Sequence, residues 1–316
     1  MVGRMLNEKR TSAWILLFFL LAFLNKIATP EEKDNFKPKY SIKLTCGMGY
    51  SAIGDINKTL ESFNNNSRFE SARLNTPDLI NGEIVALENR NLDLEAEFRL
   101  HISPKIALSF ATSSPVIKKN ESSLTYIYRG SAGDQIHSYN FKPEVKVWMP
   151  LRVSFGYSLY SSSKLNLFFY GGINYYIIKA SEFRRFELIP PVGSSDRAIR
   201  YWETKNKIYS GLHGGIEIDY NLIKNMAFVL EVEGKYARIG YLKGTMLEET
   251  DFFEFGQEGF LYFFNMWDDY IGVRYDDLKV WYAPPEFSTR DYTGIKKAVL
   301  DLSGFSFKVG IRIRLF

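Results

Sequence analysis

Residues 39–51 read KYSIKLTCGMGYS, in which Tyr40, Ile42, Leu44, Cys46, Met48 and Tyr50 alternate with Ser41, Lys43, Thr45, Gly47, Gly49 and Ser51. Successive side chains of a β-strand point to opposite faces, so this spacing predicts a strand held between an apolar and a polar environment. The same period of two recurs along the chain. NLDLEAEFRLH sets Leu92, Leu94, Ala96, Phe98 and Leu100 against Asp93, Glu95, Glu97, Arg99 and His101. IALSFA carries Ile106, Leu108 and Phe110. EVKVWMPLRVSFGYSLY sets Val145, Val147, Met149, Leu151, Val153 and Phe155 against Glu144, Lys146, Trp148, Arg152 and Ser154. LNLFFYGGINYYII, YSGLHGGIEIDY, MAFVLEVEGKY and FSFKVGIRIRLF complete eight such strands, while convincing 3.6-residue stripes are absent.

The connections sort into two kinds. Those at 102–105, 161–164 and 221–225 are tight, whereas those at 52–90, 112–141, 180–205 and 239–298 are long, and the two kinds alternate. If the strands run up and down, all tight turns fall at one end and all long loops at the other, the asymmetry of a transmembrane barrel with short periplasmic turns and long extracellular loops. Before them, Arg4, Lys9 and Arg10 precede the apolar run AWILLFFLLAFL, too short for a comfortable membrane span. Residues 1–28 therefore read as a secretory signal, with an uncleaved anchor as the alternative, 29–39 as a short periplasmic segment and 40–316 as the barrel domain.

The 316 residues are 46% apolar and 16% aromatic, enough for a large buried core. The formal charge of +4 owes most of its excess to the signal segment, so nothing asks for nucleic acid. The single cysteine, Cys46, excludes an internal disulfide and reads as a small apolar residue on a strand face.

Alternation alone does not decide which row faces outward; a soluble β-protein such as a lipocalin would bury the apolar one. The polar row favours the barrel. Its cations Lys43, Arg99, Lys146, Arg152, Lys235, Lys308, Arg312 and Arg314 are matched in number by Asp93, Glu95, Glu97, Glu144, Glu217, Asp219, Glu231 and Glu233. An eight-stranded barrel has an interior just wide enough for side chains, and ions enclosed there must be paired. The strands predict structural lumen pairs among Glu95, Glu97, Arg99, Lys146, Arg152, Glu217, Glu231, Glu233, Lys235, Arg312 and Arg314. Tyrosines near strand ends, such as Tyr50, Tyr157 and Tyr236, suit a membrane interface.

With these features the chain resembles the small outer-membrane β-barrel proteins of the OmpA, OmpX and OmpW type, through the strand pattern from Tyr40 to Phe316, the run FFYGGINYY and the ending GIRIRLF. The resemblance implies an antiparallel up-and-down barrel in the outer membrane of a diderm bacterium. It also implies that the terminal Phe316 is read by the barrel-insertion machinery, and that outer-membrane lipid and lipopolysaccharide are partners. For the OmpW type it implies transport of small hydrophobic molecules.

Catalytic and cofactor chemistry finds little footing. Only His101, His137 and His213 are available, no His/Cys/Asp/Glu set has metal-ligand spacing, and no phosphate loop is present, so no cofactor is expected. His101-Ile-Ser103 matches the His-x-Ser spacing of lipid A-deacylating barrel enzymes but abuts a tight turn, away from the outer leaflet. The long loops offer more. Phe260, Tyr262, Phe264, Trp267 and Trp281 make the last loop unusually aromatic. That segment packs against itself, adds a hairpin that makes a ten-stranded barrel, or forms a ligand surface for a small hydrophobic molecule. In the second loop LTYIYR and QIHSYNF flank the turn-forming GSAGD, predicting raised strand extensions. Arg184, Arg185, Arg197, Arg200 and Lys205 could pair with lipopolysaccharide phosphates. The expected role is structural or surface interaction without catalysis, with a narrow transporter and a lipid A-modifying enzyme as alternatives.

Overall fold

A computed structural model describes residues 39–73, 80–130, 133–268, 273–283 and 292–315. The expected signal segment and Phe316 lie outside them. The first half contains β1 (Lys39–Ser51), α1 (Asp55–Arg73), β2 (Ile80–Glu83), β3 (Arg90–His101), β4 (Ile106–Ser113), β5 (Val116–Lys119), β6 (Ser122–Gly130) and β7 (Gly133–Ser161). β8 (Leu165–Ile189), β9 (Asp196–Thr204), β10 (Lys207–Ile223), β11 (Met226–Tyr236) and β12 (Arg238–Ile239) follow. The chain ends with β13 (Lys243–Thr250), β14 (Glu254–Asp268), β15 (Val273–Trp281), β16 (Tyr292–Lys297), β17 (Leu300–Asp301) and β18 (Gly304–Leu315).

Antiparallel pairing runs from β1 through β3, β4, β7, β8, β10, β11 and β18 and returns to β1, closing a ring with no free edge. Tight turns join β3 to β4, β7 to β8 and β10 to β11 at one end. In the first of them the Ser103 hydroxyl accepts the Ile106 N–H at 3.0 Å. Gly310 marks a close strand approach, since a Cβ there would meet the Leu44 carbonyl oxygen at 2.0 Å.

The two rows face as the pleat requires. Leu94, Val232 and Ile311 are 43%, 52% and 45% exposed, while their neighbours Glu95, Glu233 and Arg312 are 4%, 0% and 1% exposed. Apolar groups thus form an outer belt and ionic groups fill the interior, the reverse of a soluble β-protein.

One strand changes faces midway. Pairing of β7 with β8 shifts between Trp148 and Leu151, a bulge at Met149 and Pro150. Proline has no N–H to give the ladder and so settles at such irregularities. Below the bulge Arg152, Ser154 and Ser158 point inward; above it Phe141, Val145 and Met149 do, so Val145 and Met149 leave the outer row. Lys146 consequently projects to the outside, 3.2 Å from Glu144. This corrects its expected place in the lumen. Removing both from the interior preserves the sign balance there.

β7 and β8 rise well beyond the ring and carry most of the remaining strands as an upper sheet, while β12 and β17 pair only with each other. β6 pairs with the raised part of β7, as LTYIYR and QIHSYNF predict, and β9 pairs with that of β8. β13, β14 and β15 continue from β9, with β16 on β14. Because β11 pairs directly with β18, the aromatic strands β14 and β15 do not enter the ring. They are the expected additional hairpin, but it stacks above.

Helix α1 corrects the expectation that helical stripes are absent. Ile56, Leu60 and Phe63 stand at i, i+4 and i+7, a stripe too short to show among asparagines and serines. Gly54, at φ +76°, turns the chain into the helix. The Asp55 carboxylate accepts the Val299 N–H at 2.9 Å and ties the helix start to the last loop. The stripe seats in an apolar core with Phe141, Met149, Ile178, Trp202, Leu261 and Val280. Each fully buried apolar side chain of this size contributes about 1.5–3 kcal/mol. α1 and the β14–β15 hairpin thereby stopper the long-loop end.

Candidate functional site

Two layers fill the ring's axis. In the lower layer, adjacent strands bring their polar rows face to face. Lys43 Nζ lies 3.0 Å from Glu97 and 2.9 Å from Glu217, and also pairs with Glu231. Arg99 forks onto both oxygens of Glu217 at 2.7 and 2.9 Å. Arg152 reaches Glu95 at 2.6 Å, Glu97 at 2.9 Å and Glu233 at 2.5 Å. Lys308 contacts Glu95 at 2.8 Å and Glu233 at 3.1 Å, and Arg312 contacts Glu217 at 2.7 Å and Asp219 at 2.5 Å. The Tyr170 hydroxyl donates to Glu231 at 2.8 Å. Guanidinium forks satisfy several carboxylate oxygens at once, which is how an enclosed ionic cluster offsets lost hydration.

Lys235 and Arg314 sit at opposite rims of this layer. Lys235 is 3.0 Å from Asp93, and Arg314 donates to Asn221 at 2.6 Å. Sequence reasoning missed a hydroxyl–imidazole pair within the cluster: Ser154 Oγ lies 2.8 Å from His213 Nε2. Both residues are buried and His213 Nδ1 has no hydrogen-bond partner among the described residues, so the pair lacks the third group that would orient a catalytic base. Ser103, by contrast, caps its turn. No group of three or more metal-binding side chains occurs among the described residues.

The upper layer takes two residues of the expected loop ligand surface, Tyr262 and Phe264, out of reach. Tyr262 and Phe264 are buried, with Trp281 ring centroids 5.8 and 4.8 Å away, and Tyr292 is 5.4 Å from Phe264. These rings pack on one another, because β14 lies inside the sheet with neighbours on both sides. Phe260 is set apart against Tyr241, at 6.4 Å. Trp267 lies on β14 opposite Arg274, and its side chain is outside the described residues.

The loop cations expected to meet lipopolysaccharide phosphates already have carboxylates. Arg184 and Arg200 share Asp277 at 2.9 and 2.7 Å, and Arg200 also reaches Glu248 at 3.1 Å. Arg185 pairs with Glu187, Arg197 with Glu249 at 3.4 Å and Lys205 with Glu258 at 2.6 Å. Burial pushes the Asp277 carboxyl upward, but Arg184 and Arg200 outweigh it and hold it below the ordinary range. Burial alone lowers the His137 imidazole to about 4.

Arg184, Arg200, Glu248 and Asp277 line one side of a cavity of about 380 Å³ at the mouth. His137, Tyr139 and Phe186 line the other; the Tyr139 and Phe186 rings lie 4.8 Å apart. The cavity was not legible in sequence because β7, β8, β9 and β15 contribute to it from positions far apart in the chain.

No family model matches the sequence, and no curated protein matches it. Among solved structures the chain is similar to outer-membrane proteins. OprG from Pseudomonas aeruginosa is 9% identical with a TM-score of 0.36, over 88% of this chain and 95% of that one. A major outer membrane protein from Thermus thermophilus is 10% identical with a TM-score of 0.26, over 89% of this chain and all of that one. At that level of superposition the fold assignment rests on the strand pairings themselves.

Proposed function

We propose that the chain is exported through its N-terminal segment and inserted in the outer membrane of a diderm bacterium as an eight-stranded barrel. There it serves as a closed scaffold that presents its outer mouth to ligands or partners, without a catalytic step. The filled axis carries this reading: an ionic layer inside the ring and an apolar layer stoppered by α1 above it. Water-filled porins need 16–18 strands to leave a channel. The closed ring supports membrane residence independently, because backbone groups in hydrocarbon must be satisfied within the sheet. Capture of a small molecule at the mouth is a second reading, favoured by the aromatic-lined cavity.

Purified protein reconstituted in a planar lipid bilayer is expected to give no sustained single-channel conductance. Stable open-channel steps in most insertions would overturn the closed-scaffold reading.

A further inference from the structure

The cavity at the mouth has two unlike walls, and strand register makes them so. His137 stands opposite Tyr126 of β6, and Tyr139 opposite Phe186 of β8. Side chains two apart on β7 share a face, so these rings build one wall. Tyr126 stacks on His137 at 4.7 Å with 17° between their planes, and Tyr139 meets Phe186 at 4.8 Å. Where β8 pairs with β9, Arg184 stands opposite Arg200, and with Asp277 and Glu248 these build an ionic wall.

Two polar atoms of the lining have no hydrogen-bond partner among the described residues: His137 Nε2 and Arg200 Nε. His137 is only 9% exposed, and its Nδ1 lies 3.2 Å from the Tyr126 hydroxyl. The neutral imidazole offers Nε2 as donor or acceptor according to its tautomer, whereas Arg200 Nε can only donate. Buried groups of this kind gain from an occupant that answers them.

The walls select the chemistry of that occupant. An anion would have to part a pair already made, because Arg184 holds Glu182 and Asp277, and Arg200 holds Asp277 and Glu248. An ammonium group carries no acceptor for Arg200. A flat aromatic molecule would lay one of its apolar faces on the ionic wall and cover those charges without hydrogen bonds. A sugar ring has an apolar C–H face for the rings and a rim of hydroxyls, donors and acceptors at once, for the charged groups. The volume of about 380 Å³ falls within the usual span of ligand cavities, about 300–1,000 Å³, and accommodates a mono- or disaccharide.

We infer that this cavity binds a neutral saccharide, its C–H face against Tyr139 and Phe186 and its hydroxyls on His137 and Arg200. The inference deepens the small-molecule capture reading above and rests on it.

The test is saturation-transfer difference NMR on the full-length protein in lipid nanodiscs, with the signal of empty nanodiscs subtracted. The probes are the methyl glycosides of glucose, galactose, mannose and N-acetylglucosamine, the disaccharides maltose and lactose, and indole as a neutral aromatic. Transfer to at least one sugar is expected, strongest at its C–H protons. On titration with that sugar H137F, which keeps a ring but no nitrogen, should bind about three- to tenfold more weakly. F186L, which keeps apolar volume but no ring face, should bind severalfold more weakly. R185Q alters a residue outside the cavity lining, paired with Glu187, and should bind like the parent. Transfer to no sugar, or parent-level sugar binding by both H137F and F186L, would overturn the site. Indole binding without sugar binding overturns the saccharide alone, whereas binding of neither overturns the capture reading with it. Each protein is also run on denaturing gels unboiled and boiled; a heat-dependent shift in every variant assigns its loss of binding to the site, and no shift in the parent overturns the barrel reading. Competition by the same sugar coupled through its anomeric carbon to serum albumin supports the end of a glycan as the occupant, and failure to compete supports a free sugar.

Discussion

Replacing Arg152 with methionine is expected to lower the unfolding free energy by about 3–5 kcal/mol, read from urea titration of the protein folded into lipid vesicles. Arg152 is fully buried and joins Glu95, Glu97 and Glu233 across the lumen. Losing it leaves Glu95 with Lys308 alone and Glu97 and Glu233 with fewer cations, Arg99 and Lys43 for the first and Lys308 and Lys235 for the second being the nearest that remain. The cost arises mainly from stranding enclosed negative charge, and only in small part from the contacts themselves. The double variant R152M/E95Q should therefore lose less than the sum of its single changes. Lys146→Met supplies the contrast: its side chain is exposed beside Glu144, and the change should stay within about 0.5 kcal/mol. Equal tolerance of the two substitutions would show that the lumen is hydrated and that its ion pairs hold little of the fold.

A substitution on the other face should cost almost as much, for a different reason. Val309 points outward at mid-height of β18, opposite Cys46 and Leu230. Val309→Arg is expected to destabilise the barrel by about 2–4 kcal/mol in a bilayer, the cost of an arginine near the midplane. Phe305→Arg, close to the upper rim of the same strand, should cost about 0–1 kcal/mol. On a water-exposed surface both changes would be small and alike, so the depth gradient separates the two environments. Flat, minor effects at both positions would count against lipid around the belt.

What the sequence disclosed followed from its shortest rhythm. Period two in KYSIKLTCGMGYS and its counterparts located the ring strands, and the spacing of turns located the two ends. The polar row was legible as a row, but which carboxylate each arginine reaches was not: Arg99 meets Glu217 from a strand more than a hundred residues away. Lys146 misled because Pro150 interrupts the parity between it and Arg152, and counting alternate positions assumes an unbroken pleat. Helix α1 stayed hidden because only three apolar residues mark its buried face. The aromatic loop announced burial but not its partner; Tyr262 and Phe264 are satisfied by Trp281 and Tyr292, whose approach depends on how β14, β15 and β16 pair. The arginines of the third loop stood out in sequence as free cations, and only the folded structure shows Arg184 and Arg200 paired with Asp277.

The lone Cys46 gives the most direct test of which face meets lipid, because it lies exposed in the outer belt and needs no engineering. A nitroxide attached there, in protein reconstituted into vesicles, should relax readily with lipid-soluble oxygen and scarcely at all with a water-soluble nickel chelate. Strong relaxation by the chelate and little by oxygen would place the apolar row in water and contradict the account.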